Sequence, residues 1–446
     1  MMKNIPLWVW LIFFTFPIVA HASTSVLNIQ HWKTHNGADV YFVHEPEIPI
    51  VDVAVIFAAG SAYDGTQWGI ASFVNSMLNE GTASQTADQI ADTLDSVGAI
   101  VDGAVDRDMA IVTLRTLTTP KYLKIALSTF SDLLAHSHFP REAFDRVKQQ
   151  TLASIKQSEQ SPSRVAMKAF YRSLYGEYPY AHPTEGTLHT VNTLTPAEIK
   201  TFYKRYYVAN NADVVIVGDL TRSQAEQVAQ HITHALPSGN AATRLTLASE
   251  APNHKEQFVA FPSKQATIIL GQLGITLNDP NYFQLVVGNH ALGGPGLTSL
   301  LFEQVRNQRG LAYGVSSEFS PLEYRGPFFI MLQTRTQKAQ QAIKIVQDIL
   351  QKFIADGPTA AELQSAKQNL IGSFPLLLAT NQDILTNVAR IAFYHRPLNY
   401  LDTYRDRVKA VTRAKVQTAF QQQIHPEQMK MIIVGPKDIS NDHSTR

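Results

Sequence analysis

Cysteine is missing from all 446 positions. Its absence excludes disulfide staples, cysteine nucleophiles and cysteine-rich zinc sites, while leaving the compartment open. Charge is sparse as well: 17% of residues are Asp, Glu, Lys or Arg, and the formal net charge is +1. No basic block stands out, so nothing favours nucleic acid or an anionic surface as a partner. Beyond residue 22 no apolar run is long enough to span a bilayer. What remains is 45% apolar residues in a chain long enough for two to four domains with large cores.

The first residues form a separate unit. Lys3 gives a short positive region, Ile5 to Ala20 a hydrophobic one, and Ala20-His21-Ala22 an A-x-A cleavage site. The apolar stretch is short for an anchor and is interrupted by Pro17. Residues 1–22 therefore read as a signal peptide. The mature chain is expected to be exported, and periplasmic in a Gram-negative source, with no membrane span after cleavage.

The most informative stretch is Gly69 to Thr82, which follows an apolar strand, Val51 to Ala59, and a turn around Ser61 to Gly65. Ile70, Phe73, Val74, Met77 and Leu78 fall at i, i+3, i+4, i+7 and i+8, the stripe of a core-facing helix. Phe-x-x-Gly-Ser followed by Gly-Ile-Ala-x-Phe, Met-Leu and Gly-Thr resembles the insulinase/pitrilysin (inverzincin) metallopeptidases. In that family the helix carries H-x-x-E-H, in which two histidines bind zinc and the glutamate is the general base. Here the five positions read Ser72-Phe73-Val74-Asn75-Ser76. The family's third ligand, a glutamate in a Leu-x-Glu-Ile pattern, matches Ser154 in Leu152-Ala153-Ser154-Ile155. Neutral hydroxyls are poor zinc ligands, and asparagine cannot take a proton from metal-bound water. The resemblance thus implies a family member with no metal of its own.

An internal repeat runs through the mature chain. Thr195-Pro196-Ala197-Glu198-Ile199, Phe202 and Val214-Val215-Ile216-Val217-Gly218 close a first half. Thr412-Arg413-Ala414-Lys415-Val416, Phe420 and Met431-Ile432-Ile433-Val434-Gly435 close a second at nearly constant offset. Phe130 to Leu134 matches Val346 to Leu350, and Val53 to Phe57 matches Thr267 to Leu270. The expected organisation is two duplicated α+β domains, 27–235 and 252–438, joined by a polar linker, 236–251. The resemblance implies a mitochondrial-processing-peptidase/LuxS-like fold, with each largely antiparallel sheet covered on one face by helices.

Other features of the family frame follow. Asp102-Gly103 and Arg107-Asp108 accompany a strand-like stretch, Ala104 to Leu117, where active members bind substrate by strand addition. Tyr178 to Pro183 with Gly186-Thr187 also matches. Gly293 to Gly296 precedes a helix, Leu300 to Gln308, but lacks a Walker lysine and a G-x-G-x-x-G, so it reads as a tight turn. Arg306 and Tyr313 resemble the Arg/Tyr pair that the family's peptidases carry opposite the zinc. An arginine fork can clamp a carbonyl, and a tyrosine hydroxyl can donate to an oxyanion.

Histidine pairs offer no substitute site. His31 and His35 have zinc-helix spacing but lie in an expected hairpin, Val26 to Val43, turning at Asn36-Gly37. His231 and His234 lie at a polar helix end, and His136 and His138 in a loop.

The resemblance then implies the zinc-less subunit of a two-chain endopeptidase, whose partner bears H-x-x-E-H and zinc and acts on unfolded peptides. A peptide-binding or scaffold protein of the envelope, without proteolysis, is the alternative. An active peptidase with unorthodox ligands is a third.

Overall fold

The computed structural model describes residues 25–246 and 256–437. The expected signal segment and part of the expected linker lie outside these residues. Six strands build a first sheet: β1 (Gln30–Lys33), β2 (Asp39–His44), β3 (Ile50–Phe57), β4 (Ile100–Val105), β5 (Ala110–Leu117) and β6 (Ala212–Gly218). Five build a second: β7 (Glu256–Ala260), β8 (Gln265–Leu273), β9 (Ala312–Phe319), β10 (Pro327–Arg335) and β11 (Lys430–Gly435). Their orders are β1-β2-β6-β3-β5-β4 and β7-β11-β8-β10-β9. Without β1 the two orders superpose, including one parallel pair in each, β2 with β6 and β7 with β11. All other pairings are antiparallel. The internal repeat is therefore a repeat of topology.

Matching caps accompany it. Thr195 and Thr412 both accept the backbone N–H three residues on, opening the helices Pro196–Tyr206 and Arg413–Gln423. The expected N-terminal hairpin forms between β1 and β2, pairing His31 with Tyr41 and placing His35 in the turn.

The central strands are apolar on both faces, and the structure shows why. On β3, Val51, Val53, Val55 and Phe57 face helices of the first half, while Ala54 and Ile56 point the other way. That second face is covered by Asn381–Phe393, a helix from the second half, whose Ile384, Leu385 and Val388 join the same cluster. The second sheet is treated reciprocally. Ile269, Leu273, Ile432 and Val434 are buried by Ala166, Phe170 and Leu174 of Pro162–Tyr175, a helix from the first half. One-face coverage by each half's own helices is thus only part of the architecture. Two exchanged helices complete both sandwiches and lock the halves together.

Phe170 is the centre of one exchange. It is fully buried, and a Cβ at Gly271 on β8 would stand 2.6 Å from its ring tip, so Gly271 makes the hollow that receives it. Phe170→Ala should cost about 3–5 kcal/mol, because a buried aromatic leaves a cavity between two secondary-structure layers. Urea denaturation checks this. A loss below about 1 kcal/mol would mean that this helix does not hold the second sheet.

Candidate functional site

The motif helix, Ile70–Met77, is fixed by its N-terminus. Asp64 is buried, and its carboxylate accepts the Gly69 N–H at 2.6 Å and the Ala71 N–H at 3.0 Å. Burial pushes its pKa well above the usual carboxylate range, against the pull of these two bonds. His182 lies beside it, with Nδ1 3.8 Å from Oδ2, and stacks on Trp68 at 5.3 Å. Burial lowers the His182 pKa, which favours the neutral ring. Gly69 has φ of 95°, and a Cβ there would meet the Glu185 carbonyl at 2.7 Å. A Cβ at Gly186 would likewise collide with the Trp68 carbonyl. Two glycines therefore let the 184–186 loop press directly on the start of the helix.

That close approach decides what the motif positions do. Ser72 Oγ donates to the Thr184 carbonyl at 2.8 Å, tethering the helix to the loop. Ser76 Oγ donates back to the Ser72 carbonyl at 2.9 Å, a bond within the helix. Asn75, only 8% exposed, donates from Nδ2 to the Ile111 carbonyl on β5 at 3.3 Å. Its Oδ1 lies over Gly103 on β4, where a Cβ would collide with it. Ser154 is exposed on the neighbouring helix, Arg141–Ser158, which packs against the motif helix. Among the described residues, no three His, Asp or Glu side chains gather as a metal site. Zinc, which the fold family implies, does not fit this donor set. The donors are neutral hydroxyls and one amide, and two hydroxyls and the amide already serve backbone carbonyls.

The substrate-strand region differs in detail from the sequence reading. The continuous stretch expected over Ala104 to Leu117 is two strands, because Asp106 to Met109 form a turn between β4 and β5. Asp106 causes the turn: its Oδ1 accepts the N–H groups of Asp108 and Met109, both at 2.8 Å. β4 is the edge of its sheet, and Asp102 and Gly103 lie exposed along it. Asp102 pairs with Thr113 and so faces away from the motif helix, whereas Gly103 faces Asn75.

Asp108, which the sequence offered only as half of an Arg-Asp pair, ties the halves together. Its buried carboxylate accepts the hydroxyl of Tyr180, the Tyr394 hydroxyl at 2.9 Å and the Glu323 N–H at 2.9 Å. Tyr394 and Glu323 belong to the second half. Burial still raises its pKa, with these donors opposing. The available clue was an Asp next to an apolar strand start; its partners are 72 to 286 residues away in sequence.

Arg306 and Tyr313 sit on neighbouring elements. Arg306 lies on a π-helical turn, Phe302–Asn307, with its guanidinium 4.5 Å from the Phe302 ring centre. Tyr313 is 55% exposed on β9, the edge of the second sheet. Neither joins an ion pair or hydrogen bond through its side chain among the described residues. Both therefore present unused donors to solvent.

His231 and His234 lie on the helix Arg222–Ala235, whereas His136 caps the helix Pro120–Ala135 and pairs with Asp132 at 2.9 Å.

The tether account separates the motif positions by energy. Asn75→Asp would replace a donor with a buried carboxylate facing the Ile111 carbonyl, and should cost about 1–3 kcal/mol. Ser76→Ala, at an exposed position, should stay within about 0.5 kcal/mol. Equal small effects in chemical denaturation would mean that Asn75 is incidental.

Comparison with known proteins places this geometry. Residues 39–188 match the insulinase (peptidase family M16) model, and 193–370 match the peptidase M16 inactive domain model. The chain is 37% identical to the peptidase M16 inactive domain from Pseudomonas fluorescens, whose crystal structure superposes with a TM-score of 0.89 over 92% of this chain and 98% of that one. It is 24% identical to the uncharacterized zinc protease YmxG of Bacillus subtilis, covering 92% of this chain and 98% of the relative. It is 26% identical to the non-peptidase homolog YmxG of Helicobacter pylori, covering 85% and 88% respectively. The chain belongs to the insulinase family, peptidase family M16, as a non-catalytic member whose motif helix has lost its ligands and base.

Proposed function

We propose that this chain is the zinc-less subunit of a periplasmic two-chain zinc endopeptidase acting on unfolded peptides. One observation carries the reading. The motif positions are committed to backbone tethers, yet the β4 edge and the Arg306/Tyr313 donors remain open. A partner bearing H-x-x-E-H would supply zinc, the activated water and the base. This chain would close the chamber, offering a strand edge to peptide backbone. Arg306 would hold a substrate carbonyl, and the Tyr313 hydroxyl would donate to the oxyanion formed at the scissile carbon. The exported location rests on the leader at residues 1–22. Peptide capture or envelope scaffolding without proteolysis is the second reading, favoured by the non-peptidase description of the Helicobacter pylori relative.

The test is steady-state peptide cleavage by the chain mixed with a motif-bearing partner, with assembly followed by sizing. Tyr313→Phe should leave assembly intact and lower kcat by about 10²- to 10³-fold, the usual loss for one oxyanion donor. Arg306→Lys should also impair turnover, since it keeps the charge but loses the planar fork. A partner equally active with and without this chain would support the scaffold reading instead.

A further inference from the structure

The seam between the halves encloses a cleft of about 530 Å³ that lies apart from the motif helix. One wall is the β4–β5 turn, with Asp106. The opposite wall is the exchanged helix Asn381–Phe393, with Leu385 and Arg390. Glu318 and Phe319 at the end of β9 and Tyr282 of the second half complete it. The volume is in the range of small-ligand sites.

Asp106, Glu318 and Arg390 line it without an ion pair among them, while the fourth charged group in the wall, Arg107, is spent on the Tyr180 and His182 carbonyls and the Tyr171 ring. Asp106 has one oxygen committed to two backbone N–H groups, which fixes the carboxylate and leaves the second oxygen unused. Although accessible to solvent, this carboxyl is closely surrounded by protein. Its pKa is pushed up to about 6 by burial and by the neighbouring Asp108 carboxylate, against the pull of the Met109 and Asp108 N–H groups and, least, of Arg390. Arg390 therefore acts on Asp106 from the other half, yet the two form no ion pair. Glu318 is also raised by burial, with no cation opposing it. Among the described residues its carboxylate has no hydrogen-bond or ion-pair partner. Leu385, Phe319 and Tyr282 give the cleft its apolar lining.

We propose that this interdomain cleft binds a short zwitterionic peptide or amino acid bearing an apolar side chain. The ligand carboxylate would meet Arg390, its ammonium would meet Asp106 and Glu318, and its side chain would rest on Leu385 and Phe319. An arginine fork suits a carboxylate, and an ammonium can pair with two acids that form no ion pair of their own. Such a ligand would touch both halves at once and favour their docked arrangement. This assignment is independent of the partner-subunit reading, because it requires neither a second chain nor peptide cleavage.

The experiment is calorimetric titration of the intact mature chain with leucyl-phenylalanine at neutral pH, beside a thermal-shift series. Saturable one-to-one binding and a concentration-dependent rise in melting temperature are expected. Arg390→Gln and Asp106→Asn should each weaken binding by at least about tenfold. The first leaves no side-chain bond broken, and the second keeps the turn's acceptor, so near-UV dichroism should be unchanged in both. N-acetyl-leucyl-phenylalanine amide, which lacks both charges, should not bind. No binding up to about 10 mM dipeptide would overturn the proposal. So would binding that survives both substitutions, or equal binding of the capped peptide.

Discussion

Each sheet in this chain has two apolar faces, and the helices of its own half cover only one. Everything else follows from that shortage. The helix Pro162–Tyr175 leaves the first half to cover the second sheet, and Asn381–Phe393 returns the favour. Because the exchange is reciprocal, neither half can separate without exposing a sheet face, and exposing apolar area is what folding avoids most strongly. Asp108 sits on the seam between the halves. Tyr180 and Tyr394 donate to it from the two halves, with a backbone N–H from the second. A buried carboxylate without donors would be too costly to keep, so the seam is specified by polar geometry as well as by packing.

A rigid seam gives the motif helix a fixed place whether or not it carries metal. The family fold needs the helix against β4 and β5, and here Asn75 maintains that contact through the Ile111 carbonyl while Gly103 makes room for it. Ser72 secures the opposite side through Thr184. Loss of zinc chemistry has thus not loosened this corner of the fold. Small polar side chains that satisfy nearby carbonyls replace charged or basic ones that would need a metal. Away from the motif helix, the β4 edge and the donors on β9 and its preceding turn are exposed.

Much of this was legible in the sequence. Apolar periodicity and the position of Gly69 marked the motif helix, and equal offsets between Thr195 and Thr412 segments and between the VVIVG and MIIVG strands marked the duplication. Those signals are local, or are repeated locally. The reciprocal exchange was not legible, because a helix with one apolar stripe does not reveal which sheet it covers. Continuous apolar strands such as Val214–Val217 hinted that both faces were buried, without identifying the cover. The turn at Asp106–Met109 is masked because β-forming residues flank it on both sides; Asp106's two side-chain bonds break the run, and the 60–62 segment, distant in sequence, binds the turn's carbonyls. The role of Asp108 depends on partners from the other half, which spacing along one chain cannot supply.

The central claim is that the motif corner has been converted from a metal site into a set of backbone tethers. Zinc stoichiometry of the purified chain from residue 23 onward, by elemental analysis after equilibration with zinc and gel filtration, tests it most directly. The tether account predicts a substoichiometric, readily removed trace, unchanged by Ser72→Ala or Ser76→Ala. One tightly held zinc per chain, lost on either substitution, would contradict it.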